Sequence, residues 1–187
     1  MTIKSDLQLD CKGLACPMPI VKTKKAMTDI NDGQIIEIQA TDKGSISDLR
    51  AWSESVGHQY IGNTEQNGVI VHYIRKSGDS NVSERKFENT IRNDEIIDRS
   101  SNGGIILDVR EEAEYAFGHI KGAKSIPIGE LQARLEELDK DSEIYVVCRT
   151  GVRSDLAAQK LADKGFSKVY NVLPGMSSWN GDLSKKI

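Results

Sequence analysis

Leu7 and Leu9 alternate with polar neighbours along residues 6–10, and a period of two marks a half-buried strand. Over 16–27 the apolar positions Ile20, Val21 and Met27 fall on one helical face, and Asn31-Asp32-Gly33 stops the run. Residues 34–40 alternate again as a strand. Residues 45–56 read as a second helix, with Ser45 or Ser47 as its N-cap and Gly57 beyond its end. Residues 58–64 and 69–75 are two strands joined by Gln66-Asn67-Gly68, a hairpin signal. The order β-α-β-α-β-β predicts an α+β two-layer sandwich, two helices on one face of a four-stranded sheet. Beyond residue 86 the pattern changes. Runs 104–109, 143–148 and 168–173 are almost wholly apolar, which marks strands covered on both faces. Helical patterns at 111–117, 129–138 and 154–164 lie between them, so this half predicts a doubly wound α/β domain with a mainly parallel sheet.

Between the two patterns, residues 77–85 have no apolar periodicity and hold Gly, Ser, Asn and Asp. They read as a linker that divides the 187 residues into domains 1–76 and 86–187. The net charge of −3 makes the chain a poor generic nucleic-acid binder, and no apolar run approaches the ~20 residues of a membrane-spanning helix. Asp6 and Asp10 interrupt any basic-then-apolar leader. Three cysteines without a CxxC pair argue against a disulfide framework or a zinc knuckle, and point to a reducing cytoplasm where a free thiol is a tool. His58, His72 and His119 stand apart from any metal-ligand spacing, so neither metal nor cofactor is expected.

Two of the thiols carry candidate chemistry. Cys16 precedes Pro17 and Pro19, and proline is tolerated in a first helical turn because the N–H it lacks has no helical partner there. The thiol then stands at or next to an N-cap, where the helix dipole favours the thiolate, and Lys22, Lys24 and Lys25 add positive field. A small buried cysteine ahead of a proline-started helix is the bland alternative. Asp10-Cys11-Lys12-Gly13-Leu14-Ala15-Cys16-Pro17-Met18-Pro19-Ile20, with Lys24-Lys25-Ala26-Met27, resembles the signature of the TusA (SirA-like) sulfur-carrier family over roughly residues 5–76. The resemblance implies that Cys16 carries a persulfide and hands its terminal sulfur to a partner. Cys11 lies outside that motif; it is a packed strand residue or a resolving thiol.

Cys148 ends a buried strand, and Arg149-Thr150-Gly151-Val152-Arg153 leads into a helix. Ligands sit at the carboxyl ends of strands in open parallel sheets. This loop has no proline, so its amides can form an anion nest, with Gly151 permitting the curvature and Arg149 and Arg153 adding charge. Arginine stands five residues after the cysteine, one fewer than in cysteine-dependent phosphatases, and Ser154 occupies the sixth position. The tighter loop suits one sulfur atom better than a tetrahedral oxyanion. Leu107-Asp108-Val109-Arg110-Glu111, Tyr115 to Ala123, Ile126-Pro127, the loop itself and Gly175-Met176-Ser177-Ser178-Trp179 together resemble the rhodanese family over roughly 86–187. The resemblance implies that Cys148 is the catalytic persulfide-forming residue of a single-domain rhodanese. Asp108 is a candidate partner for Arg153 or a helix cap, His119 a structural histidine, and Trp179 a residue packing a last helix onto the sheet. The resulting expectation is a sulfurtransferase and sulfur carrier that passes sulfane sulfur through Cys148 and Cys16, with a sulfane-sulfur donor and a thiol or protein acceptor as partners. A cysteine phosphatase or arsenate reductase, and a non-enzymatic docking module, are the alternatives.

Overall fold

A computed structural model describes residues 3–78 and 86–187, so the expected linker lies, apart from Ser77 and Gly78, outside the described residues. The described residues fall into two compact units that divide between 78 and 86.

The N-terminal unit runs β1 (Leu7–Cys11), α1 (Met18–Ala26), β2 (Ile35–Ala40), α2 (Ser45–Ser55), β3 (Gln59–Gln66) and β4 (Val69–Arg75). Its sheet order is β1-β2-β4-β3. β1 and β2 are parallel, with Leu9 opposite Ile38, and α1 supplies the crossover that a parallel pair needs. β4 is antiparallel to both of its neighbours. Asn67 and Gly68, at φ 53° and 76°, make the hairpin turn, in which both central residues take positive φ. Cys11, Met27, Ile36, Ile38, Leu49 and Ile74 form the core between helices and sheet.

Two sequence expectations change here. α1 buries Pro19, Thr23 and Ala26 with Ile20 half-buried, while Val21 is 51% exposed. A 3.6-residue period puts positions 19, 20, 23 and 26 on one side and turns 21 away. The N-cap of α2 is Gly44, not Ser45 or Ser47. Both hydroxyls bond backwards instead, Ser45 Oγ donating to the Asp42 carbonyl (2.6 Å) and Ser47 Oγ to the Gly44 carbonyl (3.0 Å), so neither caps a helix N–H.

The C-terminal unit contains β5 (Thr90–Arg92), α3 (Ile96–Ser100), β6 (Ile105–Asp108), α4 (Glu112–Phe117), β7 (His119–Ile120), β8 (Lys124–Ser125), β9 (Ile144–Val147), α5 (Val152–Asp163), β10 (Val169–Leu173) and β11 (Leu183–Ser184). Five strands form an all-parallel sheet in the order β5-β10-β9-β6-β8, and β7 and β11 pair separately. The unbroken apolar runs follow from burial on both faces. Val146 and Cys148 pack with Ala157, Ala158 and Leu161, whereas Tyr145 and Val147 pack with Ile91, Ile96 and Val172. The helix expected at 129–138 is replaced by two short 3-10 turns, Leu131–Ala133 and Leu135–Glu137. Arg134 ends the first turn and bonds both Glu130 and Glu137, so side-chain pairing holds this segment where a continuous helical ladder would otherwise run. The last helix expected near Trp179 is likewise a 3-10 turn, Met176–Ser178, and Trp179 is a half-buried flank of the second core cluster.

Candidate active site

Cys148 follows the last residue of β9, at the carboxyl edge of the parallel sheet, and is 1% exposed. Gly151, at φ +88°, turns the chain into the N-terminus of α5, a conformation that costs a side chain and is free to glycine. The turn directs the Gly151 N–H to Cys148 Sγ at 3.1 Å. Ser154 Oγ, in the first turn of α5, lies 3.2 Å from the same sulfur. Ser154 Oγ also donates to Asn171 Oδ1 (2.6 Å), and Asn171 Nδ2 donates back to the Gly151 carbonyl (3.1 Å). Ser154 and Asn171 are both fully buried, so β10 braces the loop from beneath.

Arg153 does not pair with Asp108. It forms a two-pronged ion pair with Glu114 of α4, Nη1 to Oε2 at 2.7 Å and Nη2 to Oε1 at 2.9 Å. Asp108 is taken by Arg110, which donates to it from its backbone N–H and its guanidinium and also donates to the Gly118 carbonyl. The two pairs sort by reach: Arg110 lies two residues from Asp108, while α4 presents Glu114 to the start of α5. Burial opposes charge on Arg153, but the hydrogen-bonded Glu114 carboxylate outweighs it and raises the guanidinium pKa, with a smaller contribution from Cys148. Arg153 therefore serves as a fixed, neutralised strut. Arg149 and Thr150 are exposed at the rim, and Val152 is half-buried.

The opposite wall is the turn after β10. Met176 N–H donates to the Cys148 carbonyl (2.8 Å) and Ser177 N–H to the Arg149 carbonyl (2.9 Å). A Cβ on Gly175 would lie 2.6 Å from the Cys148 carbonyl oxygen, so only glycine allows this approach. Asn93, just after β5, bonds Gly175 through both its amide atoms.

Cys16 stands in a different setting. The N-cap of α1 is Pro17, with Pro19 in the first turn, so Cys16 immediately precedes the cap and is exposed. Cys16, Pro17, Pro19 and Ile20 border a narrow crevice closed on the other side by Asp42, Ser45, Asp48 and Leu49. The expected lowering of its pKa is reversed. A hydrogen bond to the Asp48 carboxylate comes first, then desolvation, then the charges of Asp48 and Asp42, and together they push the thiol up. The two prolines remove amide donors from the helix start, and the nearest carboxylates belong to α2 and the turn before it, so the dipole and the lysines are outweighed. Cys11 is fully buried, and burial raises its pKa, so it is a packed core thiol.

His119 stacks on Tyr115 with ring centroids 3.7 Å apart, and its Nδ1 meets the Tyr115 carbonyl at 2.8 Å, as a structural histidine would. Among the described residues, no helix is long and apolar enough to cross a membrane. Sequence reading missed Glu114 and Asn171 and noted Ser154 only as a phosphatase mismatch. One signal was available: Asn171 is a lone amide inside an otherwise apolar strand.

Comparison with known proteins agrees with this geometry. Residues 7–76 match the family "Sulfurtransferase TusA" and residues 92–182 match "Rhodanese-like domain". The chain is 44% identical over 188 residues to "Putative sulfur carrier protein YrkF" of Bacillus subtilis, covering 96% of this chain and 98% of YrkF. Over 75 residues it is 35% identical to "Thiosulfate sulfurtransferase GlpE" of Coxiella burnetii, covering 40% of this chain and 70% of GlpE. The crystal structure of a rhodanese-like domain protein from Staphylococcus aureus superimposes with a TM-score of 0.50 at 32% identity, covering 54% of this chain and all (100%) of that one. The chain belongs to the sulfur carrier and sulfurtransferase family in which a TusA domain is followed, on one polypeptide, by a rhodanese-like domain.

Proposed function

We propose that the chain moves sulfane sulfur through persulfides on Cys148 and Cys16, with 86–187 as the rhodanese domain and 1–76 as the carrier domain. In the loading step the Cys148 thiolate attacks the outer sulfur of a donor such as thiosulfate. The donor S–S bond breaks, sulfite leaves with the electron pair, and Cys148 holds the added sulfur as Cys–S–S⁻. In the second step the Cys16 thiolate, or an external thiol, attacks that outer sulfur and Cys148 leaves as a thiolate. No oxidant or cofactor is consumed, because each step exchanges one S–S bond for another.

The observation that carries this reading is the Gly151 N–H donating to Cys148 Sγ at 3.1 Å, inside a five-residue loop that opens a helix N-terminus. Loop amides 149–153 are the groups that hold the charge of the added sulfur. Two features weigh against a phosphatase or arsenate reductase. The sixth position after the cysteine is a serine whose hydroxyl is already at the sulfur, and Arg153 is engaged by Glu114 instead of being open to an oxyanion. A docking module has no use for a thiol gripped in this way.

Intact-mass measurement after exposure to thiosulfate tests the reading. The wild-type chain should gain sulfur in steps of about 32 Da, one on Cys148 and a second once Cys148 has passed its sulfur to Cys16 and reloaded, all removed by cyanide as thiocyanate, and Cys148→Ser should gain none from thiosulfate. Turnover of an aryl phosphate without sulfur uptake would overturn it.

A further inference from the structure

Ser154 has one hydroxyl hydrogen and two sulfur-or-oxygen neighbours that compete for it. Asn171 is fixed in orientation, because its Nδ2 donates to the Gly151 carbonyl and its Oδ1 therefore faces Ser154 at 2.6 Å. An amide oxygen only accepts, so the Ser154 hydrogen points at Asn171. Toward Cys148 Sγ, 3.2 Å away, Oγ then presents a lone pair and accepts the thiol S–H. This arrangement suits a neutral Cys148 and opposes an anionic one, because a lone pair would face a thiolate. When Sγ becomes negative, rotation about the Ser154 Cβ–Oγ bond carries the hydrogen from Asn171 Oδ1 to the sulfur. All three side chains are buried, with exposures of 0 to 1%, so water does not replace either bond cheaply.

We propose that Ser154 is a further catalytic residue, a two-position hydroxyl donor that Asn171 parks in the thiol state and that turns to stabilise Cys148 Sγ as the leaving thiolate when the persulfide is discharged. This rests on the persulfide reading above. In discharge, the lone pair of the nucleophile forms a bond to the outer sulfur, the Sγ–S bond breaks, and its electron pair remains on Sγ. With cyanide as nucleophile the products are thiocyanate and the Cys148 thiolate. No proton leaves Ser154; its hydrogen changes acceptor. The loading step has the opposite demand, since there Cys148 is the attacking group and a donor at Sγ only dampens it. Ser154 is therefore needed for one half-reaction and not for the other, provided the thiol is already ionised.

Single-turnover measurements separate the two. Wild type, Ser154→Ala and Ser154→Thr are loaded with thiosulfate at alkaline pH, where cysteine thiols ionise, and discharged with cyanide, with sulfur on the Cys148 peptide followed by mass. A hydrogen bond to a charged group corresponds to about tenfold or more in rate. Ser154→Ala, freed of the donor that dampens the attacking thiolate, should load at least as fast as wild type yet discharge about tenfold more slowly, and Ser154→Thr, which keeps the hydroxyl, should recover discharge. Equal losses in both half-reactions would mean that the serine only supports the loop, and unchanged discharge in Ser154→Ala would mean that it does nothing at the sulfur; either result overturns the proposal while leaving the persulfide reading intact. A wild-type chain that never acquires sulfur on Cys148 would overturn both.

Discussion

Asp48 and Asp42 set Cys16 apart from Cys148. One thiol has an amide donor and a hydroxyl at its sulfur; the other has a carboxylate bonded to it and a second carboxylate nearby. A negative charge at Cys16 is disfavoured where it stands, and in the proposed relay this would favour release of sulfur to a partner whose positive charge offsets the two aspartates. Replacing Asp48 with Asn removes the largest cause of the raised pKa together with one charge. Iodoacetamide alkylation of Cys16 at neutral pH, followed by peptide mass, should accelerate severalfold in Asp48→Asn, while Cys148 alkylation stays at its wild-type rate. An unchanged Cys16 rate would show that Asp48 does not govern this thiol. Both cysteines were legible in the sequence because each sits in a short motif whose local geometry, proline-started helix or glycine-turned loop, follows from its own residues. Their partners were not. Asp48 reaches Cys16 from α2, Glu114 reaches Arg153 from α4, and Asn171 reaches Ser154 from β10, and spacing along the chain carries no information about such crossings.

The same division holds for elements. Segments with a strong pattern, periodic as in β2, β4 and α5 or unbroken apolar as in β9, appear within a few residues of where the pattern put them. Segment 129–138 does not become a helix, and β5 and β8 escape notice because strands of two or three residues show no period. The buried histidine of β4 was equally hidden. His72 is fully buried beneath α2 and β3; its Nε2 lies 2.9 Å from Ser45 Oγ and its Nδ1 2.8 Å from Tyr60 Oη. Since Ser45 Oγ already donates to the Asp42 carbonyl, His72 Nε2–H donates to Ser45; Tyr60 Oη, 2.8 Å from Nδ1 and 3.2 Å from Asn63 Oδ1, gives its one hydrogen to the nearer Nδ1, which leaves a neutral ring with both nitrogens satisfied. Burial pushes its pKa down to about 4. In the unfolded chain an ordinary histidine takes up its proton near pH 6.5, so between those values the unfolded state binds more protons. The stabilisation from keeping His72 neutral is complete above about pH 6.5 and is lost as pH falls to about 4, amounting to about 3 kcal/mol. Urea unfolding read through Trp52 in a Trp179→Phe background should show this loss, and His72→Gln, less stable at neutral pH, should lack that component of the slope. Equal slopes in the two proteins would rule out His72 as its source.

At the scale of the molecule, the question is why a TusA domain and a rhodanese-like domain share one polypeptide. Two sites joined by a short tether meet at an effective concentration around millimolar when their geometry allows contact. Most cellular proteins are far scarcer, so fusion favours transfer within a chain over transfer between chains. The chemistry is compatible with this direction of flow. In the proposed relay the Gly151 N–H at Cys148 would help hold an incoming sulfur, while Cys16, exposed and beside carboxylates that disfavour its charge, would release it to an acceptor. Fusion for co-expression alone would leave each domain serving its own partners. The two cases separate by kinetics. Isotopically labelled sulfur loaded on Cys148 should appear on Cys16 with a first-order rate that stays constant as protein is diluted over a hundredfold range. Mixing Cys16→Ser chains loaded at Cys148 with unloaded Cys148→Ser chains reports transfer between molecules, and its rate should fall in proportion to concentration and lie well below the internal rate at micromolar protein. If label reaches Cys16 of the intact chain only at the rate of the mixed pair, the two thiols do not exchange within one molecule and internal relay is abandoned.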